Sequence, residues 1–129
     1  MSTTKMNTPV TTPDTAALDR TLNDMVLSGK ALEAFEKFYA DDVVMQENSE
    51  EPRVGKAANR KAEEEFFASL QEFHEGKLLS SAVNGDTSFS EWFMDVTFKN
   101  GHRYKLAQAA VRKWKDGKVV HERFYYNKG

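Results

Sequence analysis

From Thr15 onward the apolar positions repeat first with a helical period and then with a strand period. Leu18, Leu22, Met25 and Val26 fall at i, i+4, i+7 and i+8, one stripe of an amphipathic helix. Asp14 or Thr15 supplies its N-cap and Gly29 its stop. A second short helix carries Leu32, Phe35, Phe38 and Tyr39 on its buried side. Asp41-Asp42 ends it, and Val43 opens a short strand with a polar tip, Gln46-Glu47-Asn48. The segment from Asn48 to Gly55 reads as a loop. A third helix is expected from about Gly55 to Phe73, with Ala58, Ala62, Phe66, Leu70 and Phe73 on one face. Its acidic run, Glu63-Glu64-Glu65, reads as a solvated face.

Beyond this helix the pattern alternates. Strands are expected near 76–84, 87–99, 102–115 and 118–127, separated by Asn84-Gly85, Asn100-Gly101 and Asp116-Gly117, which are strong hairpin signals. Helices followed by a meander of long antiparallel strands indicate an α+β fold with helices on one sheet face. The turns decide which face is inside. Three-residue loops at Lys99-Asn100-Gly101 and Lys115-Asp116-Gly117 put Trp92, Met94, Val96, Phe98, Tyr104, Leu106, Gln108, Ala110, Val120, Glu122, Phe124 and Tyr126 on one apolar face. A two-residue loop at Asn100-Gly101 would instead align Asp95 and Glu91 with Leu106. The first register is the more coherent. Arg112 fits it poorly and is expected near an open end. The opposite face mixes charge with Phe93, Val111 and Tyr125, which suits a polar-rimmed homodimer interface.

Composition narrows the function classes. The chain has 129 residues, room for one domain, and 40% hydrophobic against 29% charged residues fits a globular protein. Residues 1–13, rich in Thr, Ser and Pro, read as a flexible tail, leaving 14–129 as the single domain. A formal net charge of -2 provides no basic field for nucleic acid. No apolar run is long enough to span a bilayer, and the polar start has no secretory h-region. Cysteine is absent, which removes thiol nucleophiles and thiolate metal sites; a cytoplasmic location is expected. His74, His102 and His121 show no metal-ligand spacing, with His74 expected at a helix end. No nucleophile elbow or phosphate loop is present.

The order of elements, with "FYADD" before the first strand and "KWKDGKVVHERFYY" near the end, resembles the nuclear transport factor 2-like superfamily, and within it the polyketide-cyclase (SnoaL-like) group, over about residues 14–127. The resemblance implies a cone-shaped, curved antiparallel sheet wrapped around the N-terminal helices (a cystatin-like α+β fold), a ligand pocket at the wide end, and dimerisation through the outer sheet face. Ala40-Asp41-Asp42 and Glu51-Pro52-Arg53-Val54-Gly55 also resemble the frame of the steroid Δ-isomerases. In that frame Glu47 stands in the position of the catalytic base. The helper positions carry Leu22 or Asn23, Ala110 and Phe124, so those specific activities do not carry over.

Glu47 shares parity with Val43 and Met45 and is the first catalytic candidate. A base at the rim of an apolar pocket suits proton abstraction beside a carbonyl; the alternative is a strand-end glutamate meeting solvent or a backbone amide. Glu122 is the second, with pairing to Arg112 or Arg123 as the equal alternative. If both reach one cavity, like charge raises one pKa. Gln108, Trp92, Phe124, Tyr126 and Asn48 are the substrate-binding candidates. No cofactor and no metal is expected, and the expected partner is an apolar small molecule. Three functions remain open: a cofactor-free isomerase, cyclase, dehydratase or hydrolase; a hydrophobic-ligand binder without turnover; and a dimeric accessory domain.

Overall fold

The computed structural model describes residues 14–128; the expected tail over 1–13 lies outside the described residues. The elements are α1 (Thr15–Leu27), α2 (Ala31–Phe38), β1 (Tyr39–Glu47), β2 (Arg53–Val54), α3 (Lys56–Ala68), β3 (Leu70–Asn84), β4 (Thr87–Phe98), β5 (Arg103–Lys115) and β6 (Lys118–Tyr126). The strands form one open sheet in the order β2-β1-β6-β5-β4-β3. β1 runs parallel to β6, and every other pairing is antiparallel. This is the expected α+β class.

The helices begin and end where local chemistry directs. Asp14 accepts a hydrogen bond from the Ala16 amide at 3.1 Å, and Gly29, at φ 79°, closes α1. Leu22 then joins Ala34, Phe35, Phe38, Tyr39, Val43, Met45, Trp114 and Val119 in one core, which packs α1 and α2 onto β1, β5 and β6. Leu32 stays exposed in the first turn of α2, because the core contact of this eight-residue helix begins at Ala34. β1 starts earlier than expected, at Tyr39, and the exposed pair Asp41-Asp42 sits where its register with β6 shifts.

Long-range pairing overrides helical periodicity at one boundary. α3 stops at Ala68, and Leu70 to Phe73 run extended against Val96 to Phe98. The Ser69 hydroxyl donates to the Phe66 carbonyl at 2.6 Å, and the Ser69 carbonyl accepts from the Lys99 amide at 2.9 Å. Phe73, expected on the buried side of a helix, is therefore an exposed strand residue. His74 lies within β3, its Nε2 2.7 Å from the Thr97 hydroxyl, and not at a helix end. Ending α3 early also rotates its buried face. Asn59 is fully buried, Ala62, Glu63 and Phe66 are half-buried, and Ala58 is exposed.

The hairpins set the inner face. Phe98 donates to the His102 carbonyl, and Gly101 donates back to Phe98 with φ 88°, so Lys99-Asn100-Gly101 is the expected three-residue loop. Trp92 therefore faces Gln108 and Met94 faces Leu106. The next turn differs. Lys115 pairs with Lys118 across two residues, Asp116 and Gly117, both at positive φ, as a type I′ turn requires. Between Lys113 and Trp114 the register slips by one, leaving Val120 as the extra residue of a bulge. Val119, not Val120, is thus fully buried. The bulge cancels the one-residue shift of the turn, and Arg112, Ala110 and Gln108 face Glu122, Phe124 and Tyr126.

Candidate functional site

Glu47 ends β1 beyond Val43 and Met45, which are buried on the same side; its own side chain is half-buried. Oε1 accepts from the Tyr126 hydroxyl at 3.1 Å, and Oε2 accepts from Arg53 Nη2 at 3.1 Å. Arg53 is in turn held by α3, its Nε donating to Asn59 Oδ1 at 3.2 Å. The Asn59 amide donates to the carbonyls of Arg53 and Gly55 at 3.0 and 2.8 Å. The segment expected as a plain loop thus contains a short strand, β2, paired with Val44 and Met45. Burial and the Glu47 charge push the Tyr126 hydroxyl up to about 12, so it stays a donor at neutral pH.

Asn48 adopts a left-handed conformation at φ 51°. Its amide N–H donates to the Phe124 carbonyl at 2.7 Å, its side-chain oxygen accepts from the Tyr126 amide at 2.9 Å, and its carbonyl accepts from Arg123 Nε at 2.8 Å. These bonds splice the tip of β1 onto β6 and fix Tyr126 beside Glu47.

Glu122 lies deeper. Arg112 Nε donates to its Oε2 at 2.7 Å, and the Tyr39 hydroxyl donates to Oε1. Arg112 Nη1 also donates to Asp19 Oδ1 at 2.9 Å and Asn23 Oδ1 at 2.7 Å. Ser88 donates to the same Asp19 oxygen at 2.7 Å, and Trp114 Nε1 donates to Ser88 at 3.1 Å. Arg112 is therefore buried in the core and not at an open end. α1 supplies the carboxylate and amide that satisfy it, contacts a one-dimensional pattern does not contain. Burial, followed by the Glu122 charge, raises the Tyr39 hydroxyl well above its ordinary value.

A third carboxyl enters from α3. Glu63 is half-buried one helical turn after Asn59, on the face that packs against β1, while Glu64 and Glu65 are exposed. The reading of 63–65 as one solvated run thus fails at its first residue. Among the described residues nothing hydrogen-bonds or ion-pairs with Glu63. Burial first, then the charges of Glu122 and Glu47, raise its carboxyl to about 7, against the opposing pull of Arg53 and Arg112. The signal was present in the sequence: Asn59, Ala62, Glu63 and Phe66 fall at i, i+3, i+4 and i+7. Extending the helix to Phe73 masked it.

The inner sheet face completes the surroundings. Trp92 and Gln108 are direct neighbours across β4 and β5, and Tyr126 lies beyond Gln108 on β6. Neither the Trp92 indole nor the Gln108 amide has a hydrogen-bond partner among the described residues. Trp92 is buried, whereas Gln108, Phe124 and Tyr126 remain half-exposed, as do Met94 and Leu106 on the same face. The structure brings Glu47 to Tyr126, and it brings Glu122 to Arg112. It does not pair Gln108 with Glu122, since Gln108 lies opposite Trp92 and Tyr126.

A groove of about 260 Å³ lies away from this face, between α1 and β3, lined by Asp19, Asn23, Leu78 and Val83 among others. Its polar floor, Asp19 and Asn23, is already committed to Arg112 and Ser88, so the groove offers no free chemistry. Among the described residues no cluster of three or more His, Asp or Glu side chains is arranged to hold a metal ion. No described helix is long and apolar enough to cross a membrane.

The family model of the SnoaL-like domain matches residues 11–126. Among solved structures, a SnoaL-like polyketide cyclase candidate from Mesorhizobium loti is 30% identical. The match covers 88% of this chain and 100% of that one, with a TM-score of 0.79. A polyketide cyclase candidate from Xanthomonas campestris pv. campestris is 21% identical, with 88% and 90% covered and a TM-score of 0.73. A hypothetical protein of ketosteroid isomerase-like fold from Catenulispora acidiphila, solved with trimethylamine, is 15% identical, with 92% and 88% covered and a TM-score of 0.70. No protein of curated function matches the chain significantly.

Proposed function

The chain belongs to the SnoaL-like domain family, and from that premise we propose that it is a small-molecule pocket protein. In this reading the half-uncovered inner sheet face takes an apolar, oxygen-bearing molecule. The observation that carries the reading is the pair Trp92 and Gln108. An indole N–H and an amide sit side by side on the inner face, and no group among the described residues hydrogen-bonds to either. Trp92 is buried, and buried polar groups in native proteins have partners; in this reading an oxygen on a bound ligand supplies one to its indole N–H, beside the half-exposed Gln108 amide. Phe124 and Tyr126 line the same face toward the mouth, and Asn48 keeps its place there by fixing Tyr126.

In the catalytic form of this reading, Glu47 carries turnover. Two donors fix its carboxylate at the rim, and a carboxylate has lone pairs left after two hydrogen bonds. In that form it acts as the base in a cofactor-free isomerisation, cyclisation or loss of water. The Arg112 pairing gives Glu122 a supporting role, since it holds Tyr39 and the floor of the interior. One observation favours binding without turnover: both Glu47 oxygens are already engaged.

A neutral aryl ketone, 2-acetonaphthone, separates these readings. Calorimetric titration detects binding, and mass spectrometry in heavy water detects protein-dependent deuterium uptake at its methyl carbon. Binding with exchange that disappears in Glu47→Gln supports the acid–base enzyme. Binding without exchange supports the ligand carrier, and no binding at any pH overturns the pocket.

A further inference from the structure

We infer that the open edge of β3 is a self-recognition strand: a second copy of this chain lays its own β3 antiparallel along it, centred on Gly76, so that Glu75 of each copy meets the partner's Lys77. The inference is independent of the pocket reading above.

β3 is the last strand of the sheet, and among the described residues it pairs with β4 alone. At 15 residues it is longer than most strands of globular proteins, and no proline interrupts it. The backbone groups that turn away from β4 are therefore a template for another strand. An apolar residue flanks the middle of this edge on each side, Phe73 and Leu79, both about half exposed. Between them Glu75 and Lys77 stand on the outer sheet face, beside Asp95 and Phe93 of β4. Their side chains are 3.2 Å apart, and both remain open to solvent.

Symmetry and charge choose the occupant. A two-fold axis through Gly76 repeats every contact. It opposes Glu75 to the partner's Lys77 twice, and it brings each Phe73 beside the partner's Leu79. Moving the axis one residue toward either end sets Glu75 against Glu75 or Lys77 against Lys77, and like charges directly opposed are destabilising. Lysine on an edge strand ordinarily turns other strands away. Glu75 answers it in this antiparallel register alone, so the edge rejects unlike strands and accepts its own copy.

The backbone suits the same centre. Gly76 adds no side chain at the axis; a Cβ on it would stand 2.9 Å from Cζ of Phe73, whose ring already covers the position. The register of β3 on β4 shifts just before Glu75 and just after Leu78, and such shifts bend a strand. They confine the pairing to a short central stretch. A contact this short is weak, so it adds to association through the outer sheet face only above the micromolar range.

The test uses Phe89→Glu throughout, which places a charge on the outer sheet face and leaves the β3 edge intact. The chain has no cysteine, so an introduced one reports without interference. Opposed residues of antiparallel strands have Cα atoms about 4.5–5.5 Å apart, a span that a disulfide bridges. Glu75→Cys and Lys77→Cys proteins, one labelled with nitrogen-15, are mixed and oxidised, and mixed disulfides are expected above their statistical share. Sedimentation equilibrium of the cysteine-free protein is expected to show dimerisation, weakened at least about fivefold by Lys77→Glu or by Glu75→Lys and restored when both exchanges are combined. Mixed disulfides at or below the statistical share overturn the inference. So does a double exchange that associates as weakly as the single ones, or a protein that stays monomeric at its highest soluble concentration.

Discussion

Arg112 and Glu122 face each other across β5 and β6 and are joined by a 2.7 Å bond, with 4% and 1% of their surfaces exposed. The same guanidinium reaches Asp19 and Asn23 on α1, so one cation ties the first helix to the last two strands. Arg112→Met leaves two buried carboxylates without a counter-charge. The expected loss of stability is about 3–5 kcal/mol, the usual cost of removing one member of a buried pair. Urea denaturation measures it, and a loss under about 1 kcal/mol would mean that water already reaches the network.

Glu63 makes stability fall as pH rises. Its carboxyl is raised from 4.5 to about 7 in the folded chain, so the folded state holds a proton that the unfolded state releases. The stabilising contribution is complete below pH 4.5, declines between 4.5 and 7, and is gone above that range. Glu63→Gln removes this dependence. Relative to the parent, the variant is expected to gain up to about 3 kcal/mol of stability between pH 4 and pH 8. Melting curves at the two pH values check it, and an unchanged difference would place Glu63 in solvent.

Trp92→Phe and Gln108→Leu each delete one free donor while keeping the apolar surface. Each is expected to weaken 2-acetonaphthone binding by about 1 kcal/mol, or roughly fivefold, the usual net worth of one hydrogen bond. Glu47→Gln is expected to leave binding nearly intact and to cut deuterium exchange at least about a hundredfold. Unaltered binding in both donor variants would move the ligand off this face.

The outer sheet face is proposed as a self-association surface. Phe89 and Tyr125 are exposed there, Phe89 lies opposite Val111, and Tyr125 lies opposite Ala109. Arg123 stacks over the Tyr125 ring at 4.9 Å and supplies a polar rim. Sizing chromatography is expected to give a dimer for the parent and a monomer for Phe89→Glu. A monomeric parent at micromolar concentration would remove the interface.

Much of this architecture is legible in one dimension because it rests on short-range chemistry. The cap at Asp14, the stop at Gly29 and the three-residue loop closed by Gly101 each involve residues a few positions apart. The alternation marks the inner face from Trp92 to Tyr126 except at Val120, the extra residue of the bulge, where Val119 is buried instead; beyond it the bulge restores the parity. Glu47 was visible as a carboxylate at the tip of an apolar strand. Glu63 was not, because the stripe that contains it was read on a helix extended five residues too far.

The sequence by itself determined the class of fold, the order of its elements, the inner face of the sheet and the family. Periodicity, caps and turns are local, and they survive in any single chain. Only the tertiary structure decided that Arg112 is buried, that Asp19 and Asn23 from α1 satisfy it, and that Glu63 is half-buried with no hydrogen bond or ion pair among the described residues. Those facts depend on which charges meet across tens of residues of chain, and burial strengthens each such meeting after the fold has closed around it.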